Sequence, residues 1–152
     1  MSEKYFEIIN KIEEITQLCT KVQNINSTLT EVLSILTNLC EVESGSILLF
    51  DSTTNKLKFY AVLGPKAKDI INFQISVGEG VAGWVAQNKS VAIVNVGDTH
   101  IKKSDQLDNK IGYTTNNILA FPLLVQNRLI GVIELINKKD NFYTTSSCAG
   151  RI

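Results

Sequence analysis

Residues 76–90 read Ser-Val-Gly-Glu-Gly-Val-Ala-Gly-Trp-Val-Ala-Gln-Asn-Lys-Ser, and glycines 78, 80 and 83 have the Gly-x-Gly-x-x-Gly spacing of a dinucleotide-binding loop. Such a loop works where backbone N–H groups meet a pyrophosphate at the start of a long helix, directly after a buried parallel strand. A buried parallel strand reads as a continuous apolar run. The stretch before the glycines, Ile71-Asn72-Phe73-Gln74-Ile75-Ser76-Val77, alternates apolar and polar residues instead, the pattern of a strand with one wet face. The helix that follows, Val81 to about Asn88, has room for roughly two turns before Lys89-Ser90 and a new strand. That is short for a βαβ crossover, which needs at least about 10–12 residues including its helix. A later acid, Asp98, is no more than chance supplies in such a window. The glycines therefore need an explanation other than a dinucleotide.

The chain has 152 residues, enough for one domain with a real core. Fifteen basic residues balance fifteen acidic ones, so no global field draws it to nucleic acid or to an anionic membrane. No apolar run approaches the roughly 20 residues of a membrane span. The start, Met1-Ser2-Glu3-Lys4-Tyr5, lacks the basic and apolar regions of a signal peptide, so a cytoplasmic location is expected. The three cysteines, Cys19, Cys40 and Cys148, are widely spaced and form no CxxC pair. Neither a zinc site nor a disulfide framework is suggested, and Cys19 and Cys40 are expected to be small buried hydrophobes.

The first forty residues have a helical pattern. Ile8, Ile12, Ile15, Cys19, Val22, Asn26, Leu29, Leu33, Leu36 and Cys40 alternate steps of four and three, a heptad seam of the kind that favours a coiled coil, with Asn26 as a polar position on it. The same residues also read as two amphipathic helices broken near Asn24-Ile25-Asn26-Ser27, the second opening with a capping box at Thr28-x-x-Glu31. Either way the apolar stripe needs a partner, and a homodimer is expected. The chain then divides into a dimerisation segment at 1–27, a domain at 28–142 and an irregular tail at 143–152.

From Ser46 onward the pattern changes to strands. Ser46–Phe50 and Lys56–Leu63 flank turn residues as a hairpin, Lys66–Ile71 forms a short helical turn, and Val91–Val94 is a strand. Residues 97–117 are polar and lack a period, a long loop of the kind that often serves as a lid or binding loop. Ile118–Val125 and Leu129–Ile136 make a second hairpin around Gln126-Asn127-Arg128 and are apolar on both faces, so the sheet centre should be covered on both sides. Pro122 cannot donate to a ladder and implies an edge or a bulge. Helices first, then a mostly antiparallel sheet with helical insertions, is an α+β arrangement.

Three segments together resemble a GAF domain, a small-molecule sensory module: Gly78-Glu79-Gly80-Val81-Ala82-Gly83-Trp84-Val85-Ala86, then Ile118-Leu119-Ala120-Phe121-Pro122-Leu123, then Gly131-Val132-Ile133-Glu134-Leu135-Ile136-Asn137-Lys138. The resemblance runs from about Thr28 to Lys138. It implies a central antiparallel sheet of about six strands. One face carries the long N-terminal helix or helices, and short helices and loops enclose a pocket on the other. In that family the glycine stretch turns into a short helix against the sheet, with Trp84 filling core. Family ligands include cyclic nucleotides, bilins, haem and small acids, so the ligand stays unnamed.

The departures from the family narrow the choice. Cyclic-nucleotide-binding members often carry Asn-Lys, then Phe, three residues and Asp-Glu, with a Lys–Asp ion pair. Asn137, Lys138 and Phe142 fit, but Ser146 and Ser147 hold the acidic positions, which disfavours a cyclic nucleotide. Covalent bilin is disfavoured because no cysteine lies between Glu41 and Ser147. The chain also resembles free methionine-R-sulfoxide reductases at Gly80–Gly83 and His100–Lys103, yet their redox cysteines would fall near Ala82 and Lys102–Lys103. That chemistry needs a thiolate nucleophile. The residues after Phe142 are too few and too polar to supply the family's C-terminal helix, which leaves the 8–40 stripe more exposed.

The candidate ligand-binding residues are Asn95, Asp98, Ile101, Asn117 and Glu134. Asn95 and Asp98 close a strand where the family's pocket opens, and Asn117 returns at the far end of the loop. Glu134 is a lone carboxylate in an apolar strand, facing either the pocket or a wet face. His100 and the charges Lys102, Lys103, Asp105, Asp108 and Lys110 read as solvated loop surface, and no metal is expected. No nucleophile–base pair or carboxylate pair stands out. The expected role is therefore a non-enzymatic sensory domain coupling ligand occupancy to helix-mediated dimer arrangement in signal transduction. The competing role is a protein–protein interaction module with a vestigial pocket.

Overall fold

A computed structural model of the chain describes residues 3–21, 24–101, 109–110 and 112–140. Two helices come first, α1 (Glu3–Thr20) and α2 (Ile25–Leu39). Six strands follow: β1 (Val42–Asp51), β2 (Lys56–Leu63), β3 (Gln74–Ser76), β4 (Ala92–Val94), β5 (Ile118–Val125) and β6 (Arg128–Lys138). A one-turn helix α3 (Ala67–Ile70) sits between β2 and β3, and α4 (Gly80–Asn88) between β3 and β4. The strands form one antiparallel sheet in the order β3-β2-β1-β6-β5-β4, so the expected α+β architecture with about six strands is the observed one.

The sheet is covered on both faces, as the doubly apolar central strands require. On one face α2 lies over β1 and β2, with Leu33 beside Ile47, Ala61, Ile133 and Leu135 in one apolar cluster. On the other, α4 contributes Val81, Ala82, Val85 and Ala86 to a cluster with Leu48, Leu57, Val132, Ile118 and Ala120. Alternation along β6 puts Val132, Glu134 and Ile136 on the α4 face and Ile133 and Leu135 on the α2 face.

The glycine stretch has the geometric explanation its context implied. Gly78 (φ +90°) and Gly80 (φ +61°) hold left-handed backbone at the turn into α4. At Gly83 a Cβ would lie 2.5 Å from the Ser76 carbonyl oxygen and 3.0 Å from the Gly78 nitrogen. The third glycine is therefore required by the close seating of α4 on the end of β3. Trp84 is half-buried at the rim of that cluster. Pro122 pairs with Val132 of β6 but lies past the end of β4, whose pairing stops at Ala92–Ala120, so its missing N–H falls on an open edge.

Several expectations need correction. The N-terminal region forms two helices, and α2 starts at Ile25, three residues earlier than the supposed cap. Asn24 is its N-cap: the side chain accepts from the N–H groups of Asn26 (2.9 Å) and Ser27 (3.5 Å). Thr28 sits inside the first turn and donates its hydroxyl to the Asn24 carbonyl (3.1 Å), so the Thr28–Glu31 box does not form. An asparagine two residues before the nearest bonded amide makes the same bond sooner along the chain. Asn26 is exposed in the single chain, and Val22 lies outside the described residues. Cys19 is exposed on α1, which has no buried residue, whereas Cys40 is half-buried against the α2 cluster. β3 covers three residues, Gln74–Ser76, and not the whole of 71–77. The tail at 143–152, with Cys148, Ser146 and Ser147, lies outside the described residues, as does Phe142.

Candidate functional site

The α4 face of the sheet is sealed in two ways. Over its middle and far side the seal is α4 itself. Toward the other end α4 runs out, and α3 with the strap at 112–117 takes over. Between them lies a cavity of about 50 Å³. Its floor is Ser44, Ser46, Phe59, Glu134 and Ile136; one wall is Gly64, Lys66, Ala67 and Ile70, and the opposite wall is Tyr113 and Thr115.

Glu134 is the polar centre of this floor. It is 7% exposed, and its Oε2 accepts a bond from the Ser46 hydroxyl at 3.2 Å. Its position follows from strand register, since Glu134 stands opposite both Ser46 of β1 and Ala120 of β5. Ser46 offers a short donor, and Ala120 leaves room. A carboxylate taken out of water persists only where hydrogen-bond donors stand around it, and Ser46 is one of them. Phe59, Val62, Ile70 and Ile136 supply the apolar surface around it.

The strap is held mainly through one asparagine. Asn137 ends the inward run of β6 with left-handed backbone (φ +57°) and is 8% exposed. Its Nδ2 donates to the Thr114 carbonyl (2.9 Å), to Glu43 Oε2 (3.0 Å) and to the Tyr113 hydroxyl (3.1 Å), while its Oδ1 accepts from the Asn116 N–H (2.8 Å). The Tyr113 hydroxyl meets Ser44 Oγ at 2.7 Å, which ties the strap to β1. Burial pushes the Tyr113 phenol above its ordinary value, reinforced by the nearby charge of Glu43 and opposed by the bond with Ser44. Lys138 Nζ contacts the Cys40 carbonyl (3.3 Å) and pairs with Asp140 (3.2 Å), an acid much nearer in sequence than the family motif would supply.

Of the five residues named from the sequence, the cavity lining includes Glu134 alone. Asn117 is 1% exposed, but its Oδ1 accepts from the Lys138 N–H (2.8 Å) and its carbonyl from the Asn137 N–H (2.9 Å), so it fastens the strap to β6. Ile101 is 5% exposed within the α4 cluster. Asp98 folds back: its Oδ2 accepts from the Asn95 N–H (2.7 Å), and its own N–H donates to the Asn95 carbonyl (3.2 Å), closing an exposed turn. His100 is exposed, and so is Lys110, whose ammonium lies 5.2 Å from the Phe73 ring centre. Lys102, Lys103, Asp105 and Asp108 lie outside the described residues. Sequence reasoning missed Tyr113, Ser44, Ser46 and the hub role of Asn137. The one available signal was Asn137-Lys138, read there as a family motif rather than as a clamp.

A larger hollow, about 660 Å³, lies at the opposite end of the sheet between the two hairpins, beside Phe50, Ser52, Lys89, Arg128 and Ile130. Its polar lining is exposed throughout, and it holds no buried polar group, so the smaller cavity is the better candidate site. Among the described residues no group of three or more His, Cys, Asp or Glu side chains is placed to hold a metal ion. No helix among them is long and apolar enough to cross a membrane.

A family model described as GAF domain matches residues 22–149. Among curated proteins, a cGMP-specific 3',5'-cyclic phosphodiesterase of Drosophila mojavensis is 37% identical over 91 residues, which is 59% of this chain and 8% of that protein. A probable 3',5'-cyclic phosphodiesterase of Caenorhabditis elegans is 32% identical over 97 residues, 63% of this chain and 13% of that protein. The chain thus spans about a tenth of the length of these relatives. Among solved structures, the GAF domain of a Coxiella burnetii phosphoenolpyruvate-protein phosphotransferase superposes with a TM-score of 0.81 at 17% identity, covering 98% of this chain and 88% of that one. The free methionine-R-sulfoxide reductase of Neisseria meningitidis superposes at 0.74 with 15% identity, covering 99% and 85%, a likeness of fold alone.

Proposed function

Because this chain belongs to the GAF domain family of regulatory small-molecule sensory modules, we propose that it senses a ligand in the cavity above Glu134 and passes occupancy on through its N-terminal helices. One observation carries the reading: a buried carboxylate on the floor of a hollow, where a strand needing only to pack would carry an apolar residue. The strap and α3 form the walls, and α2 packs on the reverse of the same strands β1 and β2. A ligand that spreads the walls thereby changes the seating of β1 and β2 under α2. A population shift of this kind requires the ligand to bind one helix arrangement more tightly than the other. The role is regulatory rather than catalytic, with recognition by hydrogen bonding and packing as its chemistry.

The relatives named cGMP-specific phosphodiesterases make cGMP the first ligand to test. Ser146 and Ser147 at the acidic motif positions weigh against it. The weight on the other side is Glu134, whose carboxylate suits a purine's N–H groups. The cavity of about 50 Å³ holds a few water molecules, whereas ligand pockets span roughly 300–1,000 Å³, so any such ligand opens the walls.

A second reading has its own observation. Tyr5, Phe6, Ile9 and Ile12 of α1 are 40–58% exposed, an apolar stripe left open among the described residues that suits a second copy of the helix. On that reading helix pairing is the whole function and the cavity stays filled by its own side chains. Native mass spectrometry of the freshly purified chain, with and without added cGMP, separates the two. A dimer that gains the mass of one nucleotide per chain, and loses that gain in Glu134→Gln, supports sensing. A dimer that binds nothing and is unchanged by Glu134→Gln supports pairing alone, and a monomer removes the helix-coupled part of both.

A further inference from the structure

Four lysines are half-buried among the described residues: Lys11, Lys58, Lys66 and Lys138. Three of them pair with a carboxylate, Lys11 with Glu14 (2.9 Å), Lys58 with Asp51 (2.6 Å) and Lys138 with Asp140 (3.2 Å). Lys66 is the exception. Its ammonium has neither an ion pair nor a hydrogen bond among the described residues. It belongs to the wall of the cavity above Glu134, and Glu134, the acid of that lining, makes no ion pair with it. Asp69, three residues on, is exposed and does not pair with it either.

The chain fixes this lysine where it stands. The Lys66 carbonyl accepts from the N–H groups of Asp69 (3.0 Å) and Ile70 (3.3 Å), which sets its backbone at the entry to α3. Two residues earlier Gly64 (φ +130°) brings the turn close to β1, where a Cβ would lie 2.8 Å from that of Ser44. A half-buried lysine lays its stem on protein surface, and its ammonium carries three donors and no acceptor. Its natural complement is an anionic oxygen.

We propose that Lys66 is the anion-recognising residue of this cavity, and that the ligand carries a phosphate or carboxylate group that becomes its missing partner. The inference rests on the reading of the cavity as a ligand site, and it names the class of ligand that site takes. Lys66 also answers the charge of Glu134. A carboxylate floor with no cation beside it repels an anionic ligand, whereas an ammonium on the wall admits one whose negative group lies toward α3. A neutral molecule of the same shape leaves the ammonium without a partner and binds less tightly. Lys66 sets specificity and takes part in no reaction.

The test uses the full ¹⁵N-labelled chain in three forms, wild type, Lys66→Met and Lys66→Arg, each titrated with cGMP and with guanosine. Lys66→Met keeps an unbranched stem and removes the charge, and Lys66→Arg keeps the charge. Wild type is expected to bind cGMP about tenfold more tightly than guanosine, the worth of one charged hydrogen bond. Lys66→Met should remove most of that preference by weakening cGMP, and Lys66→Arg should retain most of it. A full preference for cGMP in Lys66→Met, or none in wild type, overturns the proposal. Inorganic phosphate and acetate, added separately, need no other part of the site, and the one that acts tells phosphate from carboxylate recognition. Failure of the site reading has its own signature: shifts at 64–70 from either ion, lost in Lys66→Met, with no response to cGMP or guanosine at 131–136. No response at 64–70 to cGMP, phosphate or acetate overturns the anion contact itself.

Discussion

Two ends of one sheet face are closed by opposite means. Under α4 the closure is apolar and tight: Val85 is fully buried, Val81 and Ala82 nearly so, and Gly83 admits no side chain. Under the strap the closure is a set of hydrogen bonds centred on Asn137, above a floor that contains a carboxylate. Dispersion and burial make the first end stiff, since interiors pack at crystal-like density and resist separation. Hydrogen bonds exchange readily for bonds to water or ligand and give little net cost when broken one at a time. The lesson is that one surface of the fold is closed by packing in one part and by hydrogen bonds in the next.

That contrast can be broken by substitution, and the largest effects belong to the stiff end. Leu48→Ala, at a fully buried position under α4, should cost about 2–5 kcal/mol in chemical denaturation. Gly83→Ala should cost about 1–3 kcal/mol, because the new methyl meets the Ser76 carbonyl and Gly78 backbone, neither of which can swing aside. If Gly83→Ala were neutral, α4 would be adjustable and the contrast would fail. At the strap, Asn137→Gly keeps the left-handed backbone and deletes the amide. It should cost about 1–2 kcal/mol globally, with most of the effect read as faster amide exchange at 112–117. A loss as large as that of Leu48→Ala would mean that the strap is part of the global core.

The smallest effects are electrostatic and sharpen the comparison by pH. The Tyr113 phenol is raised above 10.0 by burial, so its contribution is complete below that value and is lost as pH rises through the folded-state value. Amide exchange in 112–117 should therefore rise in alkali beyond the ordinary base-catalysed trend, and Tyr113→Phe should abolish the excess. Asp51, in the β1–β2 turn, is held well below the usual carboxylate range by Lys58 at 2.6 Å and by the Thr53 hydroxyl and N–H. Its contribution is present above 3.8 and fades as pH falls toward the depressed value, with Asp51→Asn removing that dependence. Both groups are in part solvated, so each change should be small and reduced by salt.

The stiff end was legible in the sequence because its determinants are local. The spacing of Gly78, Gly80 and Gly83 and the apolar runs at 118–125 and 129–136 report backbone turns and doubly buried strands directly. Glu134 was legible for the same reason, as a charge out of place in an apolar strand. The strap end was not. Tyr113 and Ser44 stand 69 residues apart, and Asn137 and Glu43 stand 94 apart, so their meeting depends on β1 and β6 lying side by side. Asn95 and Asp98 bond to each other across a turn, and a polar pair at a strand end reads alike in sequence whether it serves a turn or a ligand. At the N-terminus the heptad spacing could not distinguish one helix from two, since α2 keeps the same apolar face after its Asn24 cap.

The most direct test of the account is a titration of the ¹⁵N-labelled chain with cGMP, followed by two-dimensional NMR, for wild type and Glu134→Gln. The account predicts saturable shifts at Ser44–Ser46, Gly64–Ile70, Tyr113–Asn117 and Glu134–Asn137, with the amides of α4 nearly still, and their loss in Glu134→Gln. Saturable shifts centred on α4 or on the hollow beside Arg128, unaffected by Glu134→Gln, would contradict it.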